Sequence, residues 1–127
     1  MADVKRSVRV AGRLREELAA LLSREVHDPR VAGVAVADVR LTEDLQLAHV
    51  RVRLIDRGDD ASARKALLAG LHSASGFLRR EVGQRLGLRY APRLMFHYDE
   101  GLEQHDRVGQ LLDEIELEKR GRGGDGT

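Results

Sequence analysis

The apolar positions change period several times along the chain, and each change marks an element. Between Val4 and Val26 they fall at Val4, Val8, Ala11, Leu14, Leu18, Leu22 and Val26, while Arg6, Arg9, Arg13, Glu16, Glu17 and Arg24 lie mostly elsewhere. Steps of three and four residues predict an amphipathic helix. Asp28-Pro29 predicts its end, because the residue before a proline is pushed out of helical angles. Gly33 to Leu41 is rich in Val and reads as a strand; its alternation slips between Val36 and Val39, which predicts a β-bulge near Ala37-Asp38. Thr42-Glu43-Asp44 reads as a turn. Gln46 to Ile55 then alternates cleanly, with Ala48, Val50, Val52 and Leu54 on one face and Leu47, His49, Arg51 and Arg53 on the other. That pattern predicts a strand with one buried and one wetter face.

After the loop Asp56 to Asp60, whose aspartates can cap a helix, comes a helical pattern from Ser62 to Leu86. Leu67, Leu68 and Leu71 make the apolar face of its first half, and Leu78, Val82 and Leu86 that of its second. Only small residues separate the halves: Ser73-Ala74-Ser75-Gly76. Gly76 weakens a helix interior and tolerates unusual angles, and serine hydroxyls can satisfy backbone groups freed by a break. The expected object is a helix, a tight kink and a second helix. Gly87 follows as a C-terminal cap. Pro92 opens a third strand, Leu94 to Tyr98, and Asp99 caps a last helix through Leu102, Val108, Leu112 and Ile115. The order α-β-β-α-kink-α-β-α defines an α+β domain. Three strands cannot hide both faces, so the helices are expected on one side. The domain is placed at residues 1–118, with 119–127 as a disordered tail that has nothing apolar to dock.

Composition narrows the class. A chain of 127 residues can bury a real core as one domain. With no Cys, disulfide staples and thiolate metal sites are excluded. No apolar run is long enough to span a bilayer, and the N-terminus lacks the apolar core of a signal peptide, so a cytoplasmic protein is expected. Net charge is only +1, but it is unevenly spread. Arg64 to Arg93 carries seven Arg or Lys against Glu81 alone; Asp99 to Glu118 carries eight acids against Arg107 alone. Such polarity lets one face meet a polyanion while another repels it.

With that order in place, the chain resembles the ribosome-binding factor A family of bacterial small-subunit assembly factors. The resemblance rests on Val10 to Glu25 with Asp28-Pro29-Arg30, on Val36 to Leu45 with His49-Val50-Arg51-Val52, on Ala69 to Leu88, and on Arg93 to Asp99. It covers residues 4–115. It implies a single KH-like domain of type II topology, in which an Ala-x-Gly kink replaces the glycine-rich clamp loop; here that is Ala74-Ser75-Gly76. It further implies binding to the small ribosomal subunit and its rRNA, help with late maturation including the 5′ region of the rRNA, and support of growth in the cold. No cofactor, small-molecule substrate, membrane or catalytic residue is implied, and a monomer is expected. The alternative is a general KH-type RNA-binding module without a ribosomal role.

The candidate RNA-binding residues are Ser73, Ala74, Ser75, Gly76, Arg79, Arg80 and Gly83, with Arg6, Arg9 and Arg13 on the first helix. Arg79 and Arg80 directly follow the expected kink, where amides of a new helix and guanidinium groups would suit phosphate. In a regular helix Gly76, Arg80, Gly83 and Gly87 share a face opposite Leu78 and Val82, a smooth surface that a sugar-phosphate backbone could approach. The plainer readings are a break needed only for folding, and a solvated face for the Arg6-Arg9-Arg13 stripe. A rival reading is a small hydrolase or metal protein using His97, Asp99 and His105, but His97 and Asp99 only flank the end of a strand and no third group stands at triad or metal spacing from them. The aromatic residues number four, Phe77, Tyr90, Phe96 and Tyr98. That scarcity favours recognition of folded RNA by shape and phosphate over base stacking.

Overall fold

A computed structural model describes residues 5–100. Helix α1 spans Arg6–Arg24, a short 3-10 turn follows at Pro29–Val31, and strands β1 (Val34–Leu41) and β2 (Leu47–Leu54) form a hairpin. Helix α2 spans Ala61–Arg85 and strand β3 spans Arg93–Tyr98. The sheet order is β1-β2-β3, with β1 antiparallel and β3 parallel to the central β2. The expected last helix and the tail lie outside the described residues.

Local chemistry explains most boundaries. The Asp28 carboxylate accepts from the Arg30 amide at 2.9 Å and from its guanidinium, so the chain turns at Pro29 instead of continuing α1. The same pairing holds the Asp28 carboxyl below its ordinary value. Register shifts between Val36 and Asp38, where the broken alternation predicts a bulge. Asp60 caps α2 by accepting from the amides of Ser62 and Ala63. At the other end Gly87 takes φ +64°, and the Leu88 amide donates to the Gly83 carbonyl at 2.9 Å, closing the helix as glycine permits.

Both helices lie on one face of the sheet. The core joins Leu14, Leu18 and Leu21 of α1 and Leu67, Leu71, Leu78 and Val82 of α2 to Val39, Ala48, Val50 and Val52. The stripe on α1 differs from the expected one at its start. Ala11, Leu14, Leu18 and Leu22 are buried as expected, but Val8 is 58% exposed, and Ser7 and Leu21 face inward as well. Ser7 lies four residues before Ala11 and Leu21 three after Leu18, steps that stay on one face of a helix of 3.6 residues per turn.

The second face of the sheet is not as wet as the alternation of β2 suggests. His49 and Arg51 are 3% and 4% exposed. β2 is the central strand, and its outward side chains stand between those of β1 and β3. The Arg51 guanidinium pairs with the Asp38 carboxylate across the hairpin. His49 Nδ1 and His97 Nε2 lie 3.1 Å apart, so one ring must donate and the other accept. Burial, reinforced by the Arg51 charge, pushes the His97 imidazole below the usual histidine value. A depressed folded-state pKa means the unfolded chain takes up the proton first. Stability is therefore complete above the ordinary histidine pKa and is lost as pH falls through it. We expect the melting temperature to drop between about pH 7.5 and about pH 5.5, and the drop to shrink in His97→Gln. Equal drops in parent and variant would remove His97 as the cause.

Candidate nucleic-acid interface

Ser73-Ala74-Ser75-Gly76 lies inside α2, which continues without a break from Ala61 to Arg85. The two expected helices are one. Gly76 is not among the residues with positive φ, and a Cβ built there meets nothing within 4 Å. Small residues do not interrupt a helix whose flanking turns are held by packing. Leu71, half-buried Ala74, Leu78 and Val82 continue one inward stripe across the segment. Ser75 Oγ donates to the His72 carbonyl at 2.8 Å, the local back-bond that lets a hydroxyl residue sit mid-helix. Ser73 and Gly76 face solvent. Gly76→Ala should therefore stabilise by up to ~1 kcal/mol through helix propensity alone. A thermal melt checks this, and a lower melting temperature would show that the backbone at this position resists a side chain.

Gly83 departs from its expected place. It is buried, not part of an open glycine face, and a Cβ there would sit 3.2 Å from Ala91 Cβ. The glycine is needed so that the segment after α2 can lie against the helix. Gly70 has a similar role beneath Arg30 and Val31, where a Cβ would come within 3.0 Å of Val31 Cγ1.

Arg79 is likewise committed to the fold. Its Nε donates to the Pro92 carbonyl at 3.0 Å and its second terminal nitrogen to the Ala91 carbonyl at 3.1 Å. A planar fork spans two neighbouring carbonyls in a way that a lysine ammonium does not. Arg80, one residue on, is exposed. Arg6, Arg9 and Arg13 are exposed on α1. Among the described residues Arg6, Arg13 and Arg80 have no ion-pair partner.

The structure brings two of the candidates together. Arg6 and Arg79 line one cleft of about 410 Å³, along with Arg89, Tyr90 and Arg93 and the β1–β2 turn residues Asp44, Leu45 and Gln46. Arg9, Arg13, Arg80, Gly83 and the Ser73–Gly76 segment do not line it. Arg93 also borders a neighbouring, largely apolar groove with Leu68, His72 and Met95. Arg89, Tyr90 and Arg93 are what sequence patterning misses. Their signal is weak: a short connection between α2 and β3, Leu86 to Pro92, in which an aromatic follows an arginine. Tyr90 is 76% exposed, and the Arg89 guanidinium stands 5.5 Å from its ring centroid.

Among the described residues no cluster of His, Asp and Glu could hold a metal ion, and no helix is long and apolar enough to cross a membrane. His97 faces His49, and His105 lies outside the described residues.

A three-stranded sheet whose parallel pair is joined through one long helix, with both helices on one face, is the KH-like arrangement of the second topological type. A family model described as Ribosome-binding factor A matches residues 6–112, and the chain belongs to that family. Ribosome-binding factor A of Sorangium cellulosum is 54% identical over 112 residues, covering 88% of this chain and 90% of that one. The crystal structure of ribosome-binding factor A from Thermus thermophilus superposes with a TM-score of 0.63 at 25% identity, covering 72% of this chain and 94% of that one. A Thermus thermophilus ribosome-binding factor A homology model fitted into a cryo-EM map of a 30S complex matches with a TM-score of 0.57 at 27% identity, over 70% and 90% of the two chains.

Proposed function

We propose that this protein binds the small ribosomal subunit through its rRNA and assists late maturation of that subunit, including processing of the 5′ region of the rRNA. It does so without catalysing a reaction, as a cytoplasmic monomer, and most visibly in the cold. The observation that carries this reading is family membership over residues 6–112, since a relative is known in complex with a 30S subunit. The cleft supports it physically. Arg6, Arg89 and Arg93 present guanidinium groups at its wall, and phosphate contacts by arginine dominate affinity for folded RNA. Arg80, Arg9 and Arg13 extend the basic surface. Ser73 and Gly76, with half-buried Ser75, offer a low-profile stretch of α2 that a sugar-phosphate backbone can approach, and Ala74 holds that stretch against the core. Arg79 and Gly83 act at one remove, by fixing the wall of the cleft.

Co-sedimentation with purified small subunits across a salt series tests the proposal. Affinity should fall steeply with salt, and Arg6→Ala should reduce the slope by about one. Crosslinks mapped on the rRNA should cluster at one region. Binding to isolated RNA without co-sedimentation would favour a general RNA-binding module instead.

A further inference from the structure

We infer that Tyr90 is a stacking platform for an unpaired rRNA base, with Arg6 and Arg93 placed for the phosphates beside it. The inference rests on the rRNA-binding reading above and adds a mode of recognition to it: a splayed-out nucleotide as well as duplex shape and charge.

Three observations carry it. First, Tyr90 is 76% exposed, a large ring left in water at a cationic cleft rather than in the core. Second, the ring is presented by a fastened segment. The Leu88 amide bonds to Gly83, Ala91 lies against the Gly83 backbone, Arg79 holds the carbonyls of Ala91 and Pro92, and the Arg93 amide donates to the Gln46 carbonyl at 2.8 Å. The segment around Tyr90 is tied down on both sides, and the ring projects from it. A ring carried on an ordered backbone has only its two side-chain torsions to fix on binding, which suits a stacking platform. Third, Arg89 lies 5.5 Å from the ring centroid, so one face of the ring carries a cation. The other face then takes a base, and the guanidinium offsets the negative charge the nucleotide brings. The cleft, about 410 Å³, falls in the range of sites for small ligands and can hold one nucleotide. Its single lining acid, Asp44, is engaged by Thr42 Oγ1 at 2.6 Å and by the Gln46 amide at 3.1 Å.

The test uses the full chain and purified small ribosomal subunits. Tyr90→Ala should weaken co-sedimentation by about tenfold to a hundredfold, the loss of one stacked base. Tyr90→Phe keeps the ring and should bind within about twofold of the parent. Neither change should alter the salt slope, because no phosphate contact is removed, and melts should show both variants folded. Ultraviolet crosslinking should join a nucleotide to the Tyr90 peptide of the parent. Parent-like binding by Tyr90→Ala overturns the inference and leaves ribosome binding intact. An equal loss in Tyr90→Phe also overturns it, since that would assign the contact to the hydroxyl. Failure of the parent itself to co-sediment overturns both readings.

Discussion

Arg79→Ala should lower the melting temperature by roughly 10 °C. The side chain is half-buried, and it donates to two adjacent backbone carbonyls, those of Ala91 and Pro92. Hydrogen bonds from a charged donor contribute ~1.5–3 kcal/mol each. Partial exposure puts the pair near the low end, so ~2–3 kcal/mol for the whole residue is expected. In a domain of this size each kcal/mol is worth ~3–5 °C. Arg79→Lys should recover less than half of the loss, because one ammonium cannot reach both carbonyls in the plane of the fork. Thermal melts decide the matter. A melting temperature within ~2 °C of the parent would show that the loop from Leu88 to Pro92 holds itself. Subunit binding should fall in the same variants, since that loop carries Arg89 and Tyr90.

Gly83→Leu should cost about 3 kcal/mol. Its Cβ alone would lie 3.2 Å from Ala91 Cβ and 3.8 Å from Ala91 Cα. Three further carbons have no space, because position 83 is buried. Overpacking of this kind costs ~1–3 kcal/mol. Displacing Ala91 also strips Arg79 of an acceptor, while better helix propensity returns ~1 kcal/mol. The two sites act on the same five residues, so the double variant with Arg79→Ala should lose clearly less than the sum. Urea denaturation of the four proteins gives that coupling directly. Strict additivity would mean that Gly83 and Arg79 stabilise different things.

The legible parts of the fold were those with a local cause. The bulge followed from a slip in alternation at Val36, and the caps followed from Asp60 and Gly87. Three features depended on tertiary placement and were not legible. Gly76 and its serine neighbours weaken a helix intrinsically, yet packing on both sides carries α2 through them without a break. Gly83 looked exposed because a helical wheel shows which residues share a face, but not what covers that face. Arg79 looked like an RNA ligand because Arg79 and Arg80 are chemically alike in sequence; only the position of the Ala91 and Pro92 carbonyls separates them. Of the candidate interface, Arg6 and Arg79 reached the cleft, while Arg89, Tyr90 and Arg93 entered it from a loop with no periodicity to read.

The parallel pairing of β2 with β3 also sets when the molecule can exist. Each residue of β3 pairs with one 46 positions earlier, as Arg93 does with Leu47, whereas the β1–β2 hairpin closes through a short turn. Distant pairings carry the larger loop-closure entropy and form late. A chain still being synthesised can fold α1 and the hairpin early, but its sheet lacks a third strand until residues 93–98 emerge. Until then one edge of β2 is an open template, and Leu94, Phe96 and Tyr98 are missing from beside the core. Truncation just before Arg93 should therefore abolish cooperative folding outright, which ties the arrival of the native state to the release of residues 93–98.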